Sequence, residues 1–216
     1  HGNNKSRQEL QMAVDHEIGY IVVDNDYELK LLNEILLEDG KKQKILLRLS
    51  PGLTEIDTHE YIITGQRDTK FGFQIDEELI EKTFRDIEKM DSIELKGFHF
   101  HIGSQLFDNQ LHVRAFRILH KLIVKLWQDK AFETEILNIG GGFGIPYTEN
   151  QETLDVEGIL MDIMTEIDSA FKVSDMARPM IVIEPGRWIV GPAGITLYEV
   201  GSVKTIPHVR TYVAVD

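Results

Sequence analysis

The sequence predicts an α/β fold with a parallel sheet, built from repeated strand–helix units. Short apolar runs of strand length alternate with amphipathic stretches of helical period along most of the chain. Some runs, such as residues 181–183, are apolar at every position, which is typical of buried parallel strands. Three of the runs lead directly into Gly-rich or polar motifs, and ligand-binding loops occupy that place in parallel α/β folds.

The first half of the chain contains three predicted helices and two predicted strands. A capping box at Ser6 and Glu9 begins a helix that continues to Val14. Residues 19–23 and 45–49 read as buried strands. The remaining helical stretches are marked by Leu29, Leu32 and Leu36 on one face, and by a start at Asp76 followed by Leu79, Ile80, Thr83, Phe84 and Ile87.

The second half contains three more strands, each leading into a motif. These strands end at His101, at Gly140 and at Glu184, and helical stretches over residues 115–126 and 160–171 separate them. Five strands precede Glu184, whereas a closed β/α barrel has eight. Residues 195–203 and 211–215 then read as strands with no helix between them. We therefore expect residues 1–194 to be a partial barrel and residues 195–216 to begin a C-terminal β domain, in an internal fragment of a longer protein.

Composition excludes several classes of protein. The chain has 216 residues, of which 42% are hydrophobic, and a formal net charge of −13. Nucleic-acid binding depends on cationic residues that neutralise phosphates, so this acidic balance argues against it. No apolar stretch approaches the roughly 20 residues needed to cross a bilayer, and no signal peptide is recognisable. The absence of cysteine suits a reducing compartment, so we expect a cytoplasmic protein without a metal.

The glycine motif at residues 140–144 (GGGFG) is the most informative feature of the chain. It follows the apolar run at residues 136–139 directly. Consecutive residues without Cβ atoms let backbone N–H groups converge on an anion, usually a phosphate. The motif therefore predicts that Gly140, Gly141 and Gly142 bind phosphate, although a tight turn would use the same residues.

The other two motifs place polar side chains after neighbouring strands. His101 and Ser104 follow one strand, and Glu184 and Arg187 follow another. Loops at the carboxyl ends of parallel strands meet in one place, so we expect one shared site. Each residue also has a simpler explanation, in which His101 is a hydrogen-bonded core residue, Ser104 caps a helix, and Glu184 pairs with Arg187 at the surface.

Taken together, the motifs resemble those of the diaminopimelate decarboxylases. These enzymes are pyridoxal-phosphate decarboxylases with an alanine-racemase-type barrel and a β domain, and ornithine and arginine decarboxylases are their relatives. The Gly-Ser-Gln after His101 and the Gly-Phe-Gly that ends the glycine motif favour the diaminopimelate branch. The motifs occur in the family's order at residues 1–6 (HGNNKS), 64–72 (TGQRDTKFG), 99–105 (HFHIGSQ), 140–144 (GGGFG) and 184–187 (EPGR).

The resemblance implies a role for each motif, with pyridoxal 5'-phosphate as the cofactor. His101 would stack on the pyridine ring, and Glu184 would accept a hydrogen bond from the ring nitrogen; these two are the expected catalytic residues. Arg187 would also bind a substrate carboxylate. Lys70 and Arg48 would lie near a dimer interface and the pocket. The expected cofactor-binding residues are His101, Ser104, Gly140, Gly141, Gly142, Glu184, Pro185, Gly186 and Arg187.

Two departures from the family pattern limit what this chain can do alone. The family's Schiff-base lysine lies in an early strand motif that nothing here matches, and Lys5 is not its equivalent. The substrate-binding C-terminal region, contributed partly across a homodimer, is also missing. The resemblance therefore implies a parent enzyme that converts meso-2,6-diaminopimelate to L-lysine and CO₂, with the fragment inactive. Arginine, ornithine or carboxynorspermidine remain alternative substrates, and a non-catalytic, pyridoxal-phosphate-binding or regulatory protein remains a further alternative.

Overall fold

A parallel sheet forms the centre of the fold in the computed structural model, which describes residues 1–53, 69–151 and 153–216. The sheet has the order β1-β2-β4-β5-β6, and the two-residue strand β3 pairs with β2. All of these pairings are parallel. This confirms the predicted α/β class. The strands are β1 (Ile21–Val23), β2 (Gln43–Ser50), β3 (Phe73–Gln74), β4 (Ile93–His99), β5 (Ile136–Asn138) and β6 (Met180–Val182).

One long helix precedes the first of these strands and four more connect strands along the chain, and a side chain caps the N-terminus of four of the five helices. Ser6 forms the predicted capping box with Glu9, and Asp76 accepts a hydrogen bond from the backbone N–H of Leu79 at the predicted helix start. The helices are α1 (Arg7–Asp15), α2 (Asp26–Asp39), α3 (Glu77–Ile87), α4 (Gln110–Lys130) and α5 (Val156–Val173).

The helices share one hydrophobic core on one face of the sheet. Each of the five contributes buried side chains to it, for example Leu10 from α1 and Phe171 from α5. A second, small cluster contains Val22, Leu46 and Ile136. Because the neighbours of Val22 in β1 belong to the large core, this small cluster lies on the opposite face. Helices gathered on one face of a parallel sheet are the arrangement of a β/α barrel rather than of a doubly wound sheet.

The structure differs from the sequence prediction at two places after the sheet. A short helix, α6 (Gly186–Val190), and a 3-10 turn (Gly191–Ala193) follow β6 where only a loop was expected. The antiparallel hairpin of β7 (Val200–Ile206) and β8 (Arg210–Val215) begins at residue 200 rather than 195. Its residues are exposed and form a sheet of their own. The domain boundary at residue 195 stays a prediction. None of the helices in the described ranges has the length and apolar character of a membrane span.

Candidate active site

The three predicted motifs meet at one end of the sheet. The loops after β4, β5 and β6 surround a cavity of about 170 Å³. The side chains of Gln105 and Trp188, which sequence reasoning did not select, also line it. The full lining is His101, Ser104, Gln105, Gly142, Phe143, Glu184, Pro185, Gly186, Arg187 and Trp188.

Close packing of these loops explains why the glycine motif lacks side chains. A Cβ atom on Gly141 would lie 2.0 Å from the carbonyl oxygen of Glu184. A Cβ atom on Gly142 would lie 2.1 Å from the carbonyl oxygen of Gly103, and Gly142 has a φ of 93°. Only glycine permits both contacts. The motif therefore joins the His101 loop to the Glu184 loop, in addition to any contact with an anion.

Only part of the glycine motif has backbone N–H groups available for a ligand. The N–H of Gly140 donates to Asn138 Oδ1 at 2.9 Å, and that of Gly141 reaches His101 Nδ1 at 3.5 Å. The N–H groups of Gly142 and Phe143 make no hydrogen bond within the described ranges. Of the three glycines, Gly142 alone lines the cavity described above, together with Ser104. The phosphate contacts expected of Gly140, Gly141 and Gly142 stay a prediction.

Gln105 ties the His101 loop to the segment after the glycines. Its Nε2 donates to the carbonyl of Ile145 at 3.0 Å, and its Oε1 accepts from the N–H of Ile145 at 3.1 Å. A Cβ atom on Gly144 would press against the ring of Phe107 at 2.8 Å. The Gly-Ser-Gln and Gly-Phe-Gly variants noted in the sequence therefore depend on each other, because they pack together.

Glu184 carries the negative charge of the cavity. Its Oε1 accepts from Asn138 Nδ2 at 2.9 Å and lies 3.5 Å from His99 Nε2, and its Oε2 lies 3.1 Å from His1 Nε2. Burial raises the pKa of Glu184, but the contacts with His99 and Asn138 outweigh it and lower the pKa to about 2. The carboxylate is therefore ionised at neutral pH.

His101 is a neutral ring at neutral pH. Burial first, and the positive charge of Arg48 second, lower the pKa of His101 to about 4. Another buried histidine supports the loop that His101 contacts, since His112 Nε2 donates to the carbonyl of Gly141 at 3.1 Å. The His112 ring also stacks on Phe143, with 5.4 Å between the ring centroids. A neutral imidazole suits the predicted stacking role of His101.

Arg187 lies on the exposed side of the cavity, in the first turn of α6. Its Nη1 donates to the hydroxyl of Tyr147 at 2.6 Å, across the loops after β6 and β5. Pro185 has no backbone N–H, and the N–H of Gly186 donates to the carbonyl of Glu184. Of the residues 185–187, Arg187 is the one whose side chain has polar groups at the cavity.

Arg48 and Lys5 have partners inside the protein. The buried Arg48 pairs with Asp24 at 3.4 Å and lies over the ring of Phe71, which also lies 5.1 Å from Lys70 Nζ.

The Lys5 ammonium contacts the carbonyls of Gly2 and Val22 and the carboxylate of the buried Glu28. Lys5 is thus held as a structural cation. Most of the motif at residues 64–72 lies outside the described ranges.

Besides Gln105 and Trp188, the structure places three further residues beside the site that sequence reasoning did not assign to it, namely His1, His99 and Asn138. The side chains of His1, His99 and Glu184 place ligand atoms within 4.8 Å of one another, a spacing that could hold a metal ion. Arg48, His99 and Asn138 are neighbours in register across β2, β4 and β5. For His99 and Asn138, only this strand register, together with the polar side chains at the strand ends, could have indicated a place beside the site.

A larger groove of about 780 Å³ lies beside the cavity, between α5 and α6. Leu160, Met164 and Ile183 contribute to its apolar lining, and it shares Pro185 and Trp188 with the site. It does not contain the side chains of the motifs at residues 99–105 and 140–144. The smaller cavity is therefore where the chemistry predicted from the sequence is gathered.

Comparison with known proteins gives a consistent result. Residues 1–191 match the family described as pyridoxal-dependent decarboxylase, pyridoxal binding domain. Over its full length the chain is 48% identical to the diaminopimelate decarboxylase of Bacillus methanolicus and 46% identical to that of Bacillus subtilis. It covers 50% and 49% of these two proteins. The chain thus spans about half the length of the curated relatives it matches.

Solved structures agree with this assignment. The chain resembles diaminopimelate decarboxylase from M. jannaschii with a TM-score of 0.82 and 30% identity, covering all of this chain and 49% of that one. It resembles the Helicobacter pylori enzyme, solved in complex with L-lysine, with a TM-score of 0.76 and 31% identity, covering 99% of this chain and 50% of that one. The fold, the site and the family match together show that this chain belongs to the pyridoxal-dependent decarboxylase family, as part of its pyridoxal-binding domain.

Proposed function

We propose that the protein containing this chain removes CO₂ from meso-2,6-diaminopimelate to form L-lysine, with pyridoxal 5'-phosphate as cofactor. The observation that carries the proposal is the meeting of His101, Gly142 and Glu184 around one cavity, in a chain up to 48% identical to diaminopimelate decarboxylases. These residues follow three different strands, so the fold itself is needed to bring them together.

The residues around the cavity fit the chemistry of the cofactor. Glu184 is an ionised acceptor suited to a protonated ring nitrogen, and neutral His101 offers an aromatic face. The N–H groups of Gly142 and Phe143 and the hydroxyl of Ser104 are donors suited to a phosphate. When bound, the cofactor would supply an electron sink for the electron pair left by the departing CO₂.

The remaining roles belong to the substrate. Arg187 offers a planar, two-pronged donor for a carboxylate, and the hydroxyl of Tyr147 holds one side of its guanidinium. Glu184 would keep a proton on the ring nitrogen because its own pKa lies far below neutral. The packed loops around Gly141 would hold these groups in a fixed relation.

Activity also needs groups that this sequence does not supply. The family's cofactor-binding lysine has no matching motif here, and the Lys5 ammonium is engaged by three oxygen atoms. We therefore propose that residues 1–216 alone are inactive. We also propose that residues 195–216 begin a β domain and that the whole protein is a cytoplasmic homodimer. To test the first of these proposals, the isolated chain is mixed with pyridoxal 5'-phosphate and then treated with borohydride, which would trap a cofactor bound to a lysine. Stoichiometric labelling of one lysine would contradict it.

The decisive experiment offers four amino acids to the full-length protein. With pyridoxal 5'-phosphate present, we expect CO₂ release from meso-diaminopimelate, with L-lysine as the product found by mass spectrometry. Arginine, ornithine and carboxynorspermidine serve as competing substrates. If the protein turned over any of these three faster than diaminopimelate, that compound would be the substrate instead. Binding of the cofactor without release of CO₂ from any of the four would support the non-catalytic alternative.

A further inference from the structure

His99 is the least satisfied polar side chain near the site. The ring is fully buried at the end of β4, and neither nitrogen has a hydrogen-bond partner at normal distance within the described ranges. Native proteins rarely bury such a group without a reason, because an unpaired polar atom loses its contacts with water. The carboxylate of Glu184 lies just beyond that distance, with its Oε1 3.5 Å from Nε2 of the ring.

The register of the sheet places His99 beside Asn138, the residue that donates a hydrogen bond to Glu184. His99 stands between Arg48 on β2 and Asn138 on β5. Asn138 already holds Glu184, and its amide orientation is unambiguous because its Oδ1 accepts from a backbone N–H while its Nδ2 donates to a carboxylate. The His99 ring has no comparable second anchor in the described structure. Within the described structure, the carboxylate of Glu184 is therefore the group to which the His99 ring can donate a hydrogen bond.

We propose that His99 is a positioning residue for Glu184, with a neutral ring that carries its proton on Nε2 and donates it to the carboxylate. This inference rests on the proposed function, in which Glu184 receives the ring nitrogen of the cofactor. A carboxylate has about four lone-pair positions. With the proposed donation from His99, Asn138, His99 and His1 would occupy three of them, which would leave one for the cofactor.

The charges around Glu184 agree with this role. The groups that face it in the described structure are Arg48 from β2, His99 and His101 from β4 and its loop, and His1 from the N-terminal segment. Burial keeps His99 neutral because it lowers the pKa of the ring. A neutral donor stabilises the ionised carboxylate without adding a second charge that would compete with the ring nitrogen.

The test uses the cofactor-free, full-length protein and two substitutions. His99→Leu removes the donor, whereas His99→Gln keeps an N–H group at the position of Nε2. We expect the carboxyl carbon of Glu184, assigned in NMR spectra by comparison with Glu184→Gln, to titrate at least about one pH unit higher in His99→Leu than in the wild type. In His99→Gln most of that change should be reversed. An unchanged titration in His99→Leu would overturn the proposal.

Two further measurements keep the test decisive. If His99→Leu fails to fold, nitrogen NMR of the wild-type protein can still show which nitrogen of the His99 ring carries the proton. A proton on Nε2 would support the proposal, and a proton only on Nδ1 would contradict it. His120→Leu is the matched control, because His120 in α4 packs on Phe171 in α5 and is not among the groups that shift the pKa of Glu184. We expect this variant to leave the titration unchanged. These readouts need no substrate, so inactivity on diaminopimelate would refute the proposed function and leave the His99 inference intact.

Discussion

At the scale of single residues, one carboxylate supplies the charge on which the proposed chemistry depends. Glu184→Gln keeps the size of the side chain and can still contact Asn138, but it removes the negative charge. We expect kcat for decarboxylation to fall about a hundredfold or more, because an amide cannot hold a proton on the ring nitrogen. Binding of pyridoxal phosphate, followed by its absorbance, should change little. A variant with near-native kcat would show that Glu184 has another role.

Arg187 differs from Glu184 in the kinetic constant it should affect. Arg187→Ala removes a carboxylate ligand that acts in the ground state and in the transition state, so KM should rise about tenfold or more with a smaller change in kcat. Tyr147→Phe is the graded control, because it removes only the hydroxyl that holds the guanidinium. Its KM should lie between those of the wild type and Arg187→Ala. An unchanged KM in Arg187→Ala would contradict the assignment.

At the scale of elements, the packing of three loops fixes the site. The Gly141→Ala substitution places a Cβ atom 2.0 Å from a backbone oxygen of the Glu184 loop, so that one loop must move. We expect a loss of about 1–3 kcal/mol in the free energy of unfolding, together with loss of cofactor binding. Urea denaturation measures the first effect. Gly19→Ala is the control, since a Cβ atom at Gly19 would have no neighbouring atom within 4 Å, and equal losses in both variants would argue against loop packing.

The same elements show what local sequence can predict. The start of α1 at the Ser6 capping box and the start of α3 at Asp76 follow from side chains that satisfy nearby N–H groups, so both could be predicted. The two-residue strand β3 and the five-residue helix α6 are too short for a periodic pattern, so both were missed. His99 and Asn138 were missed because their role depends on the register of separate strands, which no local pattern encodes.

At the scale of the whole molecule, buried neutral histidines make folding depend on pH. Burial lowers the pKa of His99, His101 and His112 below the ordinary value of 6.5. Between the folded and unfolded pKa values, the unfolded chain binds more protons than the folded one. The free energy of unfolding should therefore be greatest above pH 6.5 and should fall on acidification, by at most about 1.4 kcal/mol per pH unit for each histidine.

Glu184 acts in a separate pH window, so the two effects can be told apart. Its lowered pKa stabilises the fold above about pH 4.5, and this contribution is lost as the pH falls toward 2. Between pH 7 and pH 5 these histidines should therefore reduce stability while Glu184 contributes no change, which urea unfolding at several pH values measures. For His101 the window extends to about pH 4. His112→Gln should make the dependence shallower, because it removes one titrating ring that supports Gly141. Equal stability at pH 7 and pH 5 would mean that these rings do not remain neutral in the folded protein.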